Sequence, residues 1–171
     1  MSHIKYVVFI VFVFSSPIVY SQNLNSDDID IFINGSDKIT DIIINIDPNN
    51  AVWYDYATQF IKVAKYFDDN LLIIIEKDEI NNLENDFNKF IDFRIPDEFA
   101  SAFESIGWET NGHRKYWIIK FGADFLYNLK YIKDSETINI QKSMMLKLIG
   151  KNDFEIIEAR VDEINNLFEY E

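Results

Sequence analysis

Beyond residue 25 the apolar residues of this chain recur at spacings of three and four almost everywhere, a period that predicts helices. Ile29, Phe32 and Ile33 follow the capping run Ser26-Asp27-Asp28, and Ile39, Ile42, Ile43 and Ile46 share a face beyond Asn34-Gly35. That Asn-Gly pair fits two readings, a break between two short helices or the turn of a β-hairpin. The three-four spacing on both sides favours helices. Asp47-Pro48 has the form of a helix start, and Val52, Trp53, Tyr56, Ala57, Phe60, Ala64 and Phe67 then lie on one stripe that ends at Asp68-Asp69-Asn70. A longer helix is expected over Leu71 to Phe93, with Ile80, Leu83, Phe87 and Phe90 carrying its later part. Ile95-Pro96-Asp97 restarts a short helix through Phe103, stopped at Gly107. After Asn111-Gly112 a long helix carries Trp117, Ile118, Phe121, Phe125, Leu129 and Ile132. Asp134-Ser135 interrupts it, and Ile140, Met144, Met145 and Leu148 form another helix up to Gly150. Asn152-Asp153 is read as the cap of the last helix, with Ile157, Val161, Ile164 and Phe168.

The expected fold class is therefore all-α, a single compact bundle of about seven to eight helices joined by connections of about two to six residues. The hexapeptide DEINNL occurs at Asp78 to Leu83 and again at Asp162 to Leu167, but its flanks do not match, so it is not read as a duplication.

Residues 1–21 have a different pattern. His3 and Lys5 precede an apolar run from Tyr6 to Phe14, Ser15-Ser16-Pro17 breaks it, and Val19-Tyr20-Ser21 is a small-residue exit. This is the pattern of a signal peptide, with cleavage expected between Ser21 and Gln22 and a single helical domain over 22–171. The apolar run falls short of the ~20 residues a bilayer span needs, so the mature chain is expected to be secreted or periplasmic with no stable membrane insertion.

Composition narrows the chemistry. The chain has 171 residues, 48 % hydrophobic and 16 % aromatic, enough apolar content for a core despite a net charge of −13. Removing residues 1–21 takes away Lys5 and no acid, leaving 15 basic against 29 acidic residues. Such a balance repels phosphate backbones, so no nucleic-acid partner is expected. Cysteine is absent, which excludes disulfides, thiolate metal sites and cysteine nucleophiles. His3 and His113 are the two histidines, too few after processing for a multi-histidine metal site, and no metal or cofactor is expected. The five glycines form no phosphate-cradling loop. Asn45 to Asn50 resembles a calcium loop only in its alternating oxygens, and Tyr56 stands where the bidentate acid belongs.

No catalytic residue stands out. Glycoside hydrolysis by paired carboxylates is one alternative, and Glu76, Asp78 and Glu79 stand together, but a solvated acidic first helical turn accounts for them better. The most concentrated chemistry lies between Trp108 and Trp117, around the Asn111-Gly112 turn. Aromatic and arginine side chains dominate binding hot spots, so Trp108, Asn111, His113, Arg114 and Tyr116, with Tyr54 lying off the earlier stripe, are the candidate binding residues. The competing reading makes the two tryptophans core anchors and leaves His113-Arg114-Lys115 in solvent. Together these features predict a binding protein more than an enzyme, of the inhibitor or immunity type, that takes a basic protein partner by electrostatic steering. A helical carrier for an apolar ligand is the further alternative, suggested by the Phe and Met content of the core segments.

Overall fold

The computed structural model describes residues 24–45, 51–66 and 77–167. The proposed leader and its cleavage point, the Asp47-Pro48 start and the apolar run Leu71 to Ile75 lie outside these residues. Among the described residues eight helices follow in order: α1 (Ser26–Ile44), α2 (Ala51–Ala64), α3 (Lys77–Ile91), α4 (Asp97–Ile106), α5 (Gly112–Leu129), α6 (Ser135–Ile149), α7 (Lys151–Ala159) and α8 (Val161–Asn165). Among the described residues there is no strand. This is the expected all-α architecture, and no described helix is long and apolar enough to cross a membrane.

Local chemistry sets several of the ends. Asn25 caps α1 by accepting the Asp28 N–H while the Asp28 carboxylate accepts the Asn25 N–H, a reciprocal capping box. Pro96 precedes α4, and Gly107 closes it in the left-handed conformation, φ 113°. Asp134 caps α6 through the Thr137 N–H.

Three boundaries differ from the pattern-based expectation. Asn34-Gly35 neither breaks α1 nor turns a hairpin, because α1 runs unbroken through it. Gly35 lies against α4, where an added Cβ would sit 2.8–2.9 Å from three Ile106 atoms. The missing side chain therefore serves helix packing, a use a linear pattern does not distinguish from a stop. Asp153 is not a helix cap: its Oδ1 accepts the buried Leu24 N–H at 2.9 Å, fastening α7 to the residue before α1. The last helix is also divided at Arg160, whose guanidinium reaches Asp30 of α1 at 2.7 Å and Glu163 of α8 at 2.5 Å.

α5 is the spine. Thirteen of its residues are buried, from Gly112 to Leu129, and it packs against α1, α3, α4, α6, α7 and α8. A helix apolar on nearly every side belongs inside a bundle. Its first half meets an aromatic seam: Trp117 stacks on Phe121 (5.1 Å between centroids, 28°), and Phe60 of α2 and Phe90 of α3 close on both rings. Phe99 and Phe103 of α4 extend the seam to Trp53, Tyr56 and Trp108.

Candidate functional site

The stretch from Trp108 to Trp117 is the turn from α4 into α5 and the first turns of α5. Asn111 takes a left-handed conformation, φ 56°, just before Gly112, and a Cβ on Gly112 would stand 2.4 Å from Phe103 Cβ. Only glycine lets the start of α5 approach α4 so closely. That approach carries the aromatic and basic side chains of the stretch inward.

The six candidate residues are thereby separated. Trp108, His113, Arg114 and Tyr116 are buried, His113 with 6 % of its surface exposed. Asn111 is exposed, and Tyr54 on α2 is 69 % exposed, so these two are the candidates that solvent reaches freely. Trp108 and Trp117 are buried in the core, but His113, Arg114 and Lys115 are not left in solvent, because each of the three side chains is engaged by a different neighbour.

His113 sits among Tyr56, Phe90, Phe99 and Phe103. Its Nδ1 lies 3.3 Å from the Ile91 carbonyl and its Nε2 lies 3.2 Å from the Tyr56 hydroxyl, which also accepts the Trp117 indole N–H at 2.9 Å. A carbonyl only accepts, so Nδ1 carries the hydrogen, Nε2 accepts, and the Tyr56 O–H donates to it. Every polar atom is satisfied by a neutral ring. Burial drives the imidazole pKa down from 6.5 to about 4 and drives the Tyr56 hydroxyl well above its ordinary value. Arg114 turns away to Asp92 at 2.7 Å.

Lys115 and Trp108 converge on a second hub. Asp28 Oδ1 accepts the Trp108 indole N–H at 3.0 Å and the Lys115 ammonium at 2.7 Å, while Oδ2 accepts the Asn25 N–H at 3.1 Å. Asp28 and Asp153 are the buried carboxylates among the described residues, exposed by 2 % and 1 %. Asp153 Oδ2 has no hydrogen-bond partner, and burial raises its carboxyl pKa. Both acids hold backbone N–H groups at the start of the fold, Asp28 that of Asn25 and Asp153 that of Leu24. Among the described residues no group of three or more His, Cys, Asp or Glu side chains is placed to hold a metal ion.

The molecule's outer charges are unevenly shared. α1 and α4 pack against each other and carry Asp27, Asp28, Asp30, Asp37, Asp41, Asp97, Glu98 and Glu104 against Lys38 alone. All of these acids except Asp28 are exposed, as is Glu109 just after α4. From Gly112 to Asn165, by contrast, nine Lys and Arg stand against eight Asp and Glu. There the charges pair locally, as in Lys120–Asp124, Lys130–Asp162, Lys142–Glu158 and Lys151–Glu155. Among the described residues, Asp27, Asp37, Asp41, Asp97, Glu98 and Glu104 enter no ion pair.

Two open grooves border this frame. One, of about 540 Å³, lies between α2 and α5 over Phe60, Ala64, Trp117 and Phe121, with Lys65, Lys120 and Asp124 around it. The other, of about 390 Å³, lies beside the start of α4 and is lined by Val52, Arg94, Ile95, Pro96, Asp97 and Glu98. Compared with protein-family models, curated proteins and solved structures, the chain matches none.

Asp28, Tyr56 and Asp153 are the polar residues that pattern reading missed as hubs. Asp28 resembles any capping acid and Tyr56 any stripe aromatic, and their partners lie 57 to 129 residues away along the chain. No local signal marks such pairings.

Proposed function

We propose that this chain is a secreted or periplasmic binding protein of the inhibitor or immunity type, and that the acidic surface of α1 and α4 receives a basic protein partner. The observation that carries the reading is the uneven charge. Seven exposed carboxylates on two packed helices stand against one lysine, while the remainder of the described bundle is nearly balanced. A one-signed surface raises the rate of encounter with an opposite charge and disfavours wrong partners. Exposed Val52 on α2, which lines the groove it shares with Asp97 and Glu98, supplies apolar contact area at its edge.

The test is association with basic proteins of the native envelope. The expected result is a 1:1 complex whose affinity falls steeply as salt is raised toward ~0.5 M, where charges are screened within a few ångströms. Binding that is insensitive to salt, or a partner that is not basic, counts against the reading.

A further inference from the structure

We propose that His113, Tyr56 and Trp117 form an acid-released latch: a proton taken up by His113 leaves a buried charge and a Tyr56 hydroxyl without an acceptor, and frees the α2–α3 pair from α5 while the rest of the bundle stays folded. The chain of donors runs in one direction, from the Trp117 N–H to the Tyr56 oxygen, from the Tyr56 O–H to His113 Nε2, and from His113 Nδ1–H to the Ile91 carbonyl. It ties α5 to α2 through Tyr56 and to the end of α3 through Ile91.

Protonation gives Nε2 a hydrogen of its own. The Tyr56 oxygen then faces two donors, and its hydroxyl hydrogen must turn into the surrounding rings of Phe90 and Phe99. Among the described residues the imidazolium also has no carboxylate to meet it. From α2 the ring receives the Tyr56 hydroxyl, and from α4 the rings of Phe99 and Phe103. The end of α3 brings Asp92, but Asp92 pairs with Arg114, and Lys115 on α5 is spent on Asp28. A buried charge so placed is strongly disfavoured, and separation of α2 from α5 gives it water.

The sign follows from the same burial. The closed state binds the proton at about 4 and an opened, solvated ring binds it at 6.5, so the latch holds fully above 6.5 and weakens as pH falls toward 4. No hub on the other side of α5 uses an imidazole; Asp28, Lys115 and Trp108 hold α1 by a charged group with its counter-ion.

The test is hydrogen–deuterium exchange on the full chain across this range, corrected for the intrinsic pH dependence of exchange. Opening of α2 and α3 amides is expected to rise about tenfold per pH unit below 6.5, about 300-fold in all, with α7, which packs on α5 and α6, unchanged. His113→Phe, which keeps a ring in the aromatic cage, should abolish the rise. The ring nitrogens of His113 in the unsubstituted protein give a reading that needs no variant: a neutral ring with hydrogen on Nδ1 at pH 6. Exchange that is flat with pH, a rise shared equally by all helices, or a ring already charged at pH 6 would overturn the proposal.

Discussion

The α1/α4 side and the α5–α8 side of the bundle treat charge in opposite ways. From α5 onward, acids and bases alternate closely enough to neutralise one another within a helix or across a short contact, as Lys120 does with Asp124 and Lys142 with Glu158. α1 and α4 have almost no bases of their own. Where folding requires one of their carboxylates to be neutralised, the base is borrowed: Lys115 of α5 reaches Asp28, and Arg160, between α7 and α8, reaches Asp30. The other acids of α1 and α4 are left facing water. Carboxylates that folding uses thus differ from those it does not.

The first way to break this contrast is at the borrowed pair. Asp28→Ala removes the acceptor of Trp108, Lys115 and the Asn25 N–H together, and should cost about 3 kcal/mol in chemical denaturation. The neighbouring exposed Asp27→Ala should cost less than about 0.5 kcal/mol. Equal losses would show that the two acids are not distinguished by burial.

A second, smaller effect tests the seam between α1 and α4 that places their acids on adjacent helices. Gly35→Ala forces a Cβ against Ile106, and should destabilise by about 1–2 kcal/mol even after the helix-propensity gain of ~1 kcal/mol is deducted. A stabilised variant would mean that the two helices separate easily.

The smallest effect is expected on the unused acids. Asp37→Asn, Asp41→Asn and Glu104→Gln, alone or together, should leave the melting transition nearly unchanged, each within about 0.5 kcal/mol, with any shift toward higher stability as like charges are removed.

Much of this organisation is written locally. The spacing of Trp117, Phe121, Phe125 and Leu129 marks the inner stripe of α5, and Gly107 and Asp134 mark helix ends through backbone chemistry that needs no tertiary partner. The burial of His113 and Arg114 is not written there. A histidine and an arginine opening a helix resemble solvent-facing residues until Tyr56, Ile91 and Asp92 arrive from 22 and 57 residues away. Gly35 illustrates the same limit from the other direction, since Asn-Gly has the chemistry of a stop and only the approach of Ile106 explains its place inside a helix. The charge contrast is intermediate. The acids of α1 and α4 can be counted along the chain, where acids occur in every segment, but that these two helices pack together and borrow their bases is a property of the fold.

The most direct measurement compares two variants of equal charge in the capture of a basic partner from the native envelope. One neutralises the unused acids, Asp37→Asn with Asp41→Asn and Glu104→Gln. The other neutralises acids of the balanced side, Glu136→Gln with Glu155→Gln and Glu158→Gln. The first should weaken association about tenfold or more, chiefly through a slower on-rate, while the second leaves it within about twofold. Equal losses from the two would mean that only net charge matters, and would contradict a recognition surface on α1 and α4.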